Sequence, residues 1–330
     1  MPAVDPGMPG PIGPASVDDG VCTDIDLPLP GRREGKVRIS YALPGNRLLM
    51  CATDRLSAFD RFVLAVADKG QVLTELSAWW CAQTADITVS HLRSLPDPNA
   101  MIVEAATPLP VEVVVRQALT GSTATALWTQ YAAGNRVLYG HRLPEGLVKN
   151  ALLPAPLITP TTKAAAGDHD RPLTATEVVR QGLVPAAAWE QVSATALALF
   201  SRGQRIAAAA GLLLADTKYE FGWHHEGHLL LIDEIHTPDS SRFWEASTYE
   251  QRLAAGAEPE SLDKEPVRLA LAARGFTGAG PIPLLEPAVA EQTSDRYRSA
   301  FTRLTGRTFR AAPGPVSGRL RAALARGEIA

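Results

Sequence analysis

The chain has 330 residues, 46% of them hydrophobic and 20% charged, which is the composition of a soluble enzyme long enough for two lobes with ample core. A net charge of −3 and a pI near 6.2 exclude the basic footprint of a nucleic-acid binder, and no apolar run approaches the ~20 residues that cross a bilayer. The three cysteines, Cys22, Cys51 and Cys81, are odd in number and match no disulfide or metal spacing; with no secretory signal at the N-terminus, the expected compartment is a reducing cytoplasm.

Residues 1–34 are rich in Pro and Gly, and the expectation is a disordered leader docking only near Ile25–Leu29. From Gly35 to Thr53 two strand-like runs flank Pro44-Gly45-Asn46, the chemistry of a hairpin turn. Gly35-Lys36-Val37-Arg38 opens the first with two cations on one face beside a glycine, but it lacks the GxxxxGK[ST] frame and is not a P-loop. Thr53–Asp60 reads as a ligand loop or an ordinary surface loop. Asp68-Lys69-Gly70 leads into a helix in which Trp79 and Trp80 read as core. Strands are expected at Met101–Glu104 and Val111–Val115. The second delivers Arg116 ahead of Thr120-Gly121-Ser122, which suits an anionic ligand or a structural arginine. Prolines keep 140–172 free of long helices, and its Thr159–Lys163 and Gly167–Asp170 runs read as a functional loop. A buried Ala-rich helix is expected over 184–211, a helix capped by Ser261–Lys264 runs toward Ala273, and an amphipathic helix covers Glu286–Leu304.

The centre of the chain lies at 211–244. Two apolar runs, Leu212–Leu214 and Leu229–Ile232, flank the polar turn His224-His225-Glu226-Gly227-His228, so the segment reads as a hairpin. Its first strand carries Asp216, Lys218 and Glu220 at alternate positions, which share a face. Its second ends in Asp233 and Glu234 and continues into Thr237-Pro238-Asp239-Ser240-Ser241-Arg242. Hard cations take carboxylate oxygens, and Lys and Arg take phosphate. The face therefore reads as a floor for Mg²⁺ and phosphate, with a structural ion-pair hairpin as the competing reading. The four histidines His224, His225, His228 and His236 give no zinc reading: three lie in the turn at no known ligand spacing, and a turn with exposed histidines is the preferred reading.

Nine stretches in order, between residues 35 and 310, carry a resemblance. They are GKVR (35–38), ATDRLSAFD (52–60), DKGQVLTELSAWW (68–80), LPVEVVVR with LTGS (109–122), LPEGL (143–147), TPTTKAAAGDHD (159–170), ADTKYEFG (215–222), LIDEIHTPDSSRFW (231–244) and SLDK (261–264) with VR. The chain resembles the SAICAR (phosphoribosylaminoimidazole-succinocarboxamide) synthetase family. The resemblance implies an α/β (α+β) fold, a small antiparallel-sheet lobe over a larger mixed lobe with an ATP-grasp or kinase-like nucleotide cleft. The implied activity is an ATP-dependent C–N ligase that joins the carboxyl of an aminoimidazole ribotide (CAIR) to L-aspartate through an acyl phosphate. ATP and Mg²⁺ are the implied cofactors; the partners are the two small substrates, with no nucleic acid or membrane and a homo-oligomer left open. By resemblance Lys36 and Arg38 hold ATP phosphates and Glu104 lies near the adenine. Glu220, Asp233 and Asp170 hold Mg²⁺. Lys218 meets the reacting phosphoryl or carboxylate, Asp216 orients it, and Lys264 closes over the site. Ser57, Asp60, Arg116, Ser122, Ser241 and Arg242 bind the ribotide and the amino acid.

The division expected is a leader (1–34), an ATP-binding lobe (35–116), a substrate- and metal-binding lobe (117–310) and a peripheral tail (311–330). Departures from the family pattern lie at Phe62–Val66, which lacks an acid, at Gln117-Ala118, at Arg171-Pro172 and at Glu104–Pro108. They leave two alternatives: a natural-product paralogue with another amino acid or heterocyclic carboxylate, and an inactive nucleotide- or ribotide-binding protein. A phosphotransferase without ligation is a further one.

Overall fold

The protein is described by a computed structural model covering residues 20–123, 125–163 and 170–329. In chain order it forms β1 (Arg33–Glu34), β2 (Arg38–Leu43), β3 (Arg47–Ala52), β4 (Arg55–Ala58), β5 (Arg61–Ala65), α1 (Lys69–Gln83), β6 (Leu92–Asp97), β7 (Ala100–Glu104), β8 (Thr107–Pro108) and β9 (Val111–Ala118). There follow α2 (Leu127–Ala132), β10 (Val137–Leu138), β11 (His141–Arg142), β12 (Leu152–Ile158), β13 (Thr161–Thr162), α3 (Ala175–Arg180), α4 (Ala186–Ala209) and β14 (Leu212–Trp223). The chain ends with β15 (Leu229–Ile232), β16 (Ser241–Glu245), α5 (Ala246–Ala254), α6 (Glu265–Ala272), α7 (Pro287–Thr305) and α8 (Val316–Ala325).

Two antiparallel sheets organise these elements, the first in the order β1-β2-β3-β7-β6. The second runs β12-β9-β14-β15, with β13 on β9 and both β8 and β16 on β14. In β2, Ile39, Tyr41 and Leu43 are buried and the alternate residues are half-exposed, the pattern of a sheet with one face on a core. β14 is buried almost throughout, because α4 covers it and strands flank it on both sides. Gly203 of α4 permits that approach: a Cβ there would lie 2.6 Å from the His236 ring and 2.8 Å from Leu214. The two sheets meet where His91 donates its N–H to the Leu231 carbonyl (2.9 Å) and Leu231 donates to Val89 (3.0 Å). The expected hairpins at 44–46 and 224–228 are both present, and the mixed α/β class is as expected.

Three boundaries differ from the sequence reading. Residues 1–19 of the expected leader lie outside the described residues, but 20–34 are ordered onto the first sheet. Ile25 and Leu27 are buried in its core. The Tyr41 hydroxyl donates to the Ile25 carbonyl (2.6 Å) and accepts the Leu27 N–H (3.1 Å), while Arg33 and Glu34 pair with β2. A division at residue 116 would cut β9, which lies wholly in the second sheet because its register with β14 runs from Val113 to Arg116. The tail is not peripheral. α8 inserts Val316, Leu320 and Ala323 into the first sheet's core, and Arg319 bonds Asp97 (2.9 Å) and Asn99 (2.6 Å). α6 starts at Glu265, because the Asp263 carboxylate, itself bonded by Ser261, accepts the Glu265 N–H at 2.7 Å.

Leu320→Ala removes a side chain with no exposure and is expected to cost about 2–5 kcal/mol by urea unfolding. A change within about 0.5 kcal/mol, typical of surface positions, would return the tail to the periphery.

Candidate active site

The β9–β14 ladder sets Arg116 opposite Asp216 and Val114 opposite Lys218. The β16–β14 ladder sets Arg242 opposite Asp216 and Ser241 opposite Thr217. Asp216, Lys218 and Glu220 thus share the face anticipated from their spacing, and each neighbouring strand supplies counter-charges.

At one end of this face Asp216 is buried and accepts from Arg116 (3.0 Å) and Arg242 (2.5 Å). Arg242 also reaches Glu265 (3.1 Å), which takes Arg268 (2.9 Å) and the Ser122 hydroxyl (2.8 Å). Burial alone would raise the Glu265 carboxyl, but Arg242 and Arg268 outweigh it and hold the group well below the usual range. Arg116 is steadied by Thr159 at 2.9 Å.

At the other end Lys218 contacts Glu220, Glu112 (3.1 Å) and Asp233 (3.9 Å). Glu220 also pairs with Lys163, and Asp233 with Arg38, whose second nitrogen reaches Glu234 at 2.9 Å. Burial pushes the Lys218 ammonium toward deprotonation, yet Glu220 and Glu112 overcome it and keep the group charged. For Glu220, burial acts upward, but Lys218 and Lys163 bring it down to about 2. Glu112 is raised by burial, with Lys218 opposing and the charges of Glu220 and Asp170 adding to the rise. Asp233 sits at φ 65°, a left-handed conformation that non-glycine residues seldom adopt and that turns the chain sharply as β15 ends.

A third group centres on buried Asp239. Lys264 lies 3.5 Å away, Lys69 3.6 Å, and the Tyr297 hydroxyl donates at 3.1 Å. Burial acts to raise Asp239, but Lys264 and Lys69 pull it far down, while burial lowers Lys264.

The remaining expected residues stand apart. Lys36 and Asp60 form an exposed pair at 2.6 Å, and Phe59 and Asp60, at φ 51° and 61°, make the two-residue β4–β5 turn. Ser57 is buried in β4. Ser241 is buried and shares a hydrogen bond with Thr217 (2.7 Å), on the opposite face from Asp216. Glu104 faces Arg93 (2.5 Å) and His224 (3.5 Å). Asp168 and His169 lie outside the described residues. The reading of an exposed histidine turn needs correction at His224, which is buried; His236, outside the turn, is buried too, its ring 4.6 Å from that of Trp80 in the space under α4.

Several groups in these clusters were not among the expected site residues: Glu112, Lys163, Glu234, Lys69, Asp239, Glu265 and Arg268. Alternation along β9 points to Glu112, which shares a face with Arg116. Glu265 and Lys69 come from helices remote in sequence, and no local pattern signals them. Among the described residues, Nε of Arg38, Arg242 and Arg268 and Nζ of Lys69 are buried with no hydrogen-bond partner. Buried donors are rarely left unpaired, so these atoms mark where hydrogen bonding within the clusters is incomplete.

A family model of SAICAR synthetase matches residues 32–279. The chain belongs to the SAICAR synthetase family. A relative from Mesorhizobium japonicum is 49% identical over 87% of this chain and 92% of its own. A Legionella pneumophila protein named phosphoribosylaminoimidazole-succinocarboxamide synthase is 44% identical over 90% of this chain and 96% of its own. Among solved structures, SAICAR synthase from Saccharomyces cerevisiae, complexed with SAICAR, superposes with a TM-score of 0.74 at 29% identity, covering 88% of this chain and all of that one. The family is one of ligases that form carbon–nitrogen bonds, and this chain is such an enzyme. The departures at Phe62–Val66 and Gln117-Ala118 therefore occur within the family frame.

Next to this site, burial pushes the Asp263 carboxyl up to about 6, with Arg242 opposing. Its folded-state value exceeds the unfolded one, so its contribution favours folding below pH ~4 and is lost as the pH rises through ~6. Asp263→Asn keeps an oxygen for the Glu265 N–H. Its Tm relative to the parent is expected to rise between pH 5 and pH 8, by a shift worth about 1.4 kcal/mol. A pH-independent difference would show that Asp263 is not destabilised by ionisation.

Proposed function

We propose that this protein is a SAICAR synthetase, coupling CAIR to L-aspartate with ATP. The observation that carries the reading is one strand, β14, presenting an arginine-lined anion site at Asp216 and an oxygen-rich cation site at Glu220 on the same face. The Legionella relative's name and the SAICAR bound to the yeast enzyme support the substrates, and no observation favours the paralogue, inactive or phosphotransferase readings.

A carboxylate is a poor electrophile. Transfer of the terminal phosphoryl group of ATP to the CAIR carboxylate gives an acyl phosphate and ADP. The aspartate amine then attacks the acyl carbon, the C–N bond forms, the C–O bond to phosphate breaks, and the amine gives up a proton. Lys36 and Arg38 hold the nucleotide phosphates at the first sheet, and Glu104 stands where the chain crosses between the sheets beside the adenine edge. Lys218, held charged by its carboxylates, meets the phosphoryl group as charge develops on its oxygens.

Glu220 and Asp233 surround the Lys218 ammonium with oxygen donors alone, a set that fits Mg²⁺, with Asp170 nearby. An ion held there would supply positive charge to the phosphates, and Lys163 and Arg38, which pair with these carboxylates, lie within reach to add theirs. Asp216 holds Arg116 and Arg242 in position for the ribotide phosphate, with Ser122 beside them. Ser57 and Asp60 complete the ribotide and amino-acid pockets, and Ser241 acts by keeping β16 in register. Lys264, with burial lowering its pKa, closes the site from α6.

ADP release is to be measured with Mg-ATP, CAIR and each of several amino acids, with products identified by mass. Aspartate alone is expected to give turnover, and the product is expected to have the mass of SAICAR; silence with aspartate and turnover with another amino acid would overturn the reading. Asp233→Asn is expected to lower kcat by roughly 100-fold or more, the scale of losing one charge-stabilising group. Unchanged activity in that variant would remove Asp233 from the metal site.

A further inference from the structure

The far tip of the β14–β15 hairpin gathers His224, Glu226 and His228, to which the ligation assigns no role, next to Glu104, whose carboxylate faces His224. Trp223 pairs with Leu229, the His224 N–H donates to the His228 carbonyl (2.9 Å), and the Gly227 N–H donates to the His224 carbonyl (2.9 Å). Gly227, at φ 88°, makes this tight closure without strain. The turn therefore sets His224 and His228 side by side, with ring centroids 4.4 Å apart. Glu226 lies between them, its carboxylate 3.6 Å from His224 Nδ1. One donor atom from each of His224, Glu226 and His228 lies within 4.8 Å of the other two.

The tautomer is favourable as well. Glu104 lies 3.5 Å from His224 Nε2, so the ring proton resides there, and Nδ1 keeps its lone pair, which accepts the Glu226 N–H at 3.3 Å. A carboxylate behind the imidazole is the support that metal-bound histidines use to fix ring orientation and basicity. His224 is buried and rigid, whereas Glu226 and His228 are exposed and free to close. A pocket of about 280 Å³, lined by His224, His228, Glu104 and Arg93, opens beside them and leaves room for coordinated water.

We propose that His224, Glu226 and His228 form a site for one borderline divalent transition-metal ion of the Zn²⁺, Ni²⁺ or Cu²⁺ class, with Glu104 as the group orienting His224. Two imidazoles and one carboxylate select these ions over Mg²⁺, which takes oxygen donors. Donors about 2 Å from the metal stand roughly 3.3 Å apart in a tetrahedron, so the exposed pair closes by up to about 1.5 Å. The site lies at the hairpin tip, away from the Glu220–Asp233 set at the other end of β15. Through Glu104, at the end of β7, the ion would brace the second sheet against the first behind the crossing.

The test uses the untagged full chain, stripped of metal and kept in Mg²⁺. Zn²⁺ is titrated against a chromophoric chelator at pH 7.5, with Tm recorded in parallel. The expected result is one Zn²⁺ per chain, a Tm that rises on saturation, and at least tenfold weaker binding in His228→Ala and in Glu226→Ala. His228→Ala is expected to keep Mg-ATP-dependent ligase turnover, which confirms its fold. Absence of stoichiometric Zn²⁺ binding, or equal affinity in the parent and the His228→Ala chain, overturns the proposal.

Discussion

Buried charge on β14 is the constraint to which the rest of the architecture answers. Asp216, almost without exposure, is tolerable only because Arg116 and Arg242 reach it from the strands on either side. A buried carboxylate that loses its partners typically costs 3–5 kcal/mol, so the register of three strands is tied to one side chain. The same requirement extends outward. Arg242 needs Glu265, Glu265 needs Arg268 and Ser122, and α6 must stand where Asp263 starts it.

The site is charged before any ligand arrives, and its charges are matched internally. Glu220 and Asp233 carry Lys218, Lys163 and Arg38, so each charge of the cluster has an opposite partner close by. That matching offsets the cost of burying the groups and fixes their orientation. The unpaired Nε atoms of Arg38 and Arg242 mark where the internal matching stops.

The two sheets are held together by more than the crossing at residues 105–106. Residues 20–34 and α8 both pack on the first sheet, and Arg319 clamps the β6–β7 turn through Asp97 and Asn99. α1 carries Lys69 from beneath the first sheet to Asp239 of the second, so one buried ion pair spans the interior. Position of the phosphate-side cations relative to β14 thus depends on chain segments at both ends of the sequence.

Local pattern was sufficient for the β14–β15 hairpin, the shared face of Asp216, Lys218 and Glu220, the long helix over 186–209 and the family, because each depends on spacing within a few residues. It was insufficient where long-range packing decides. Ile25 docks where expected, but Leu320 looks like part of a basic tail and yet fills the same core, because the first sheet has an open apolar face. Glu265, Lys69 and Lys163 meet the site only through the tertiary fold, which brings residues about 100 apart in sequence within hydrogen-bond reach. His224 looked exposed from its turn but is buried, since the turn folds back on β7. The sequence by itself determined which strand carries the alternating charges, since alternation is a local property. Which charges neutralise one another was decided only by the tertiary structure, because burial and distance are properties of the packed chain.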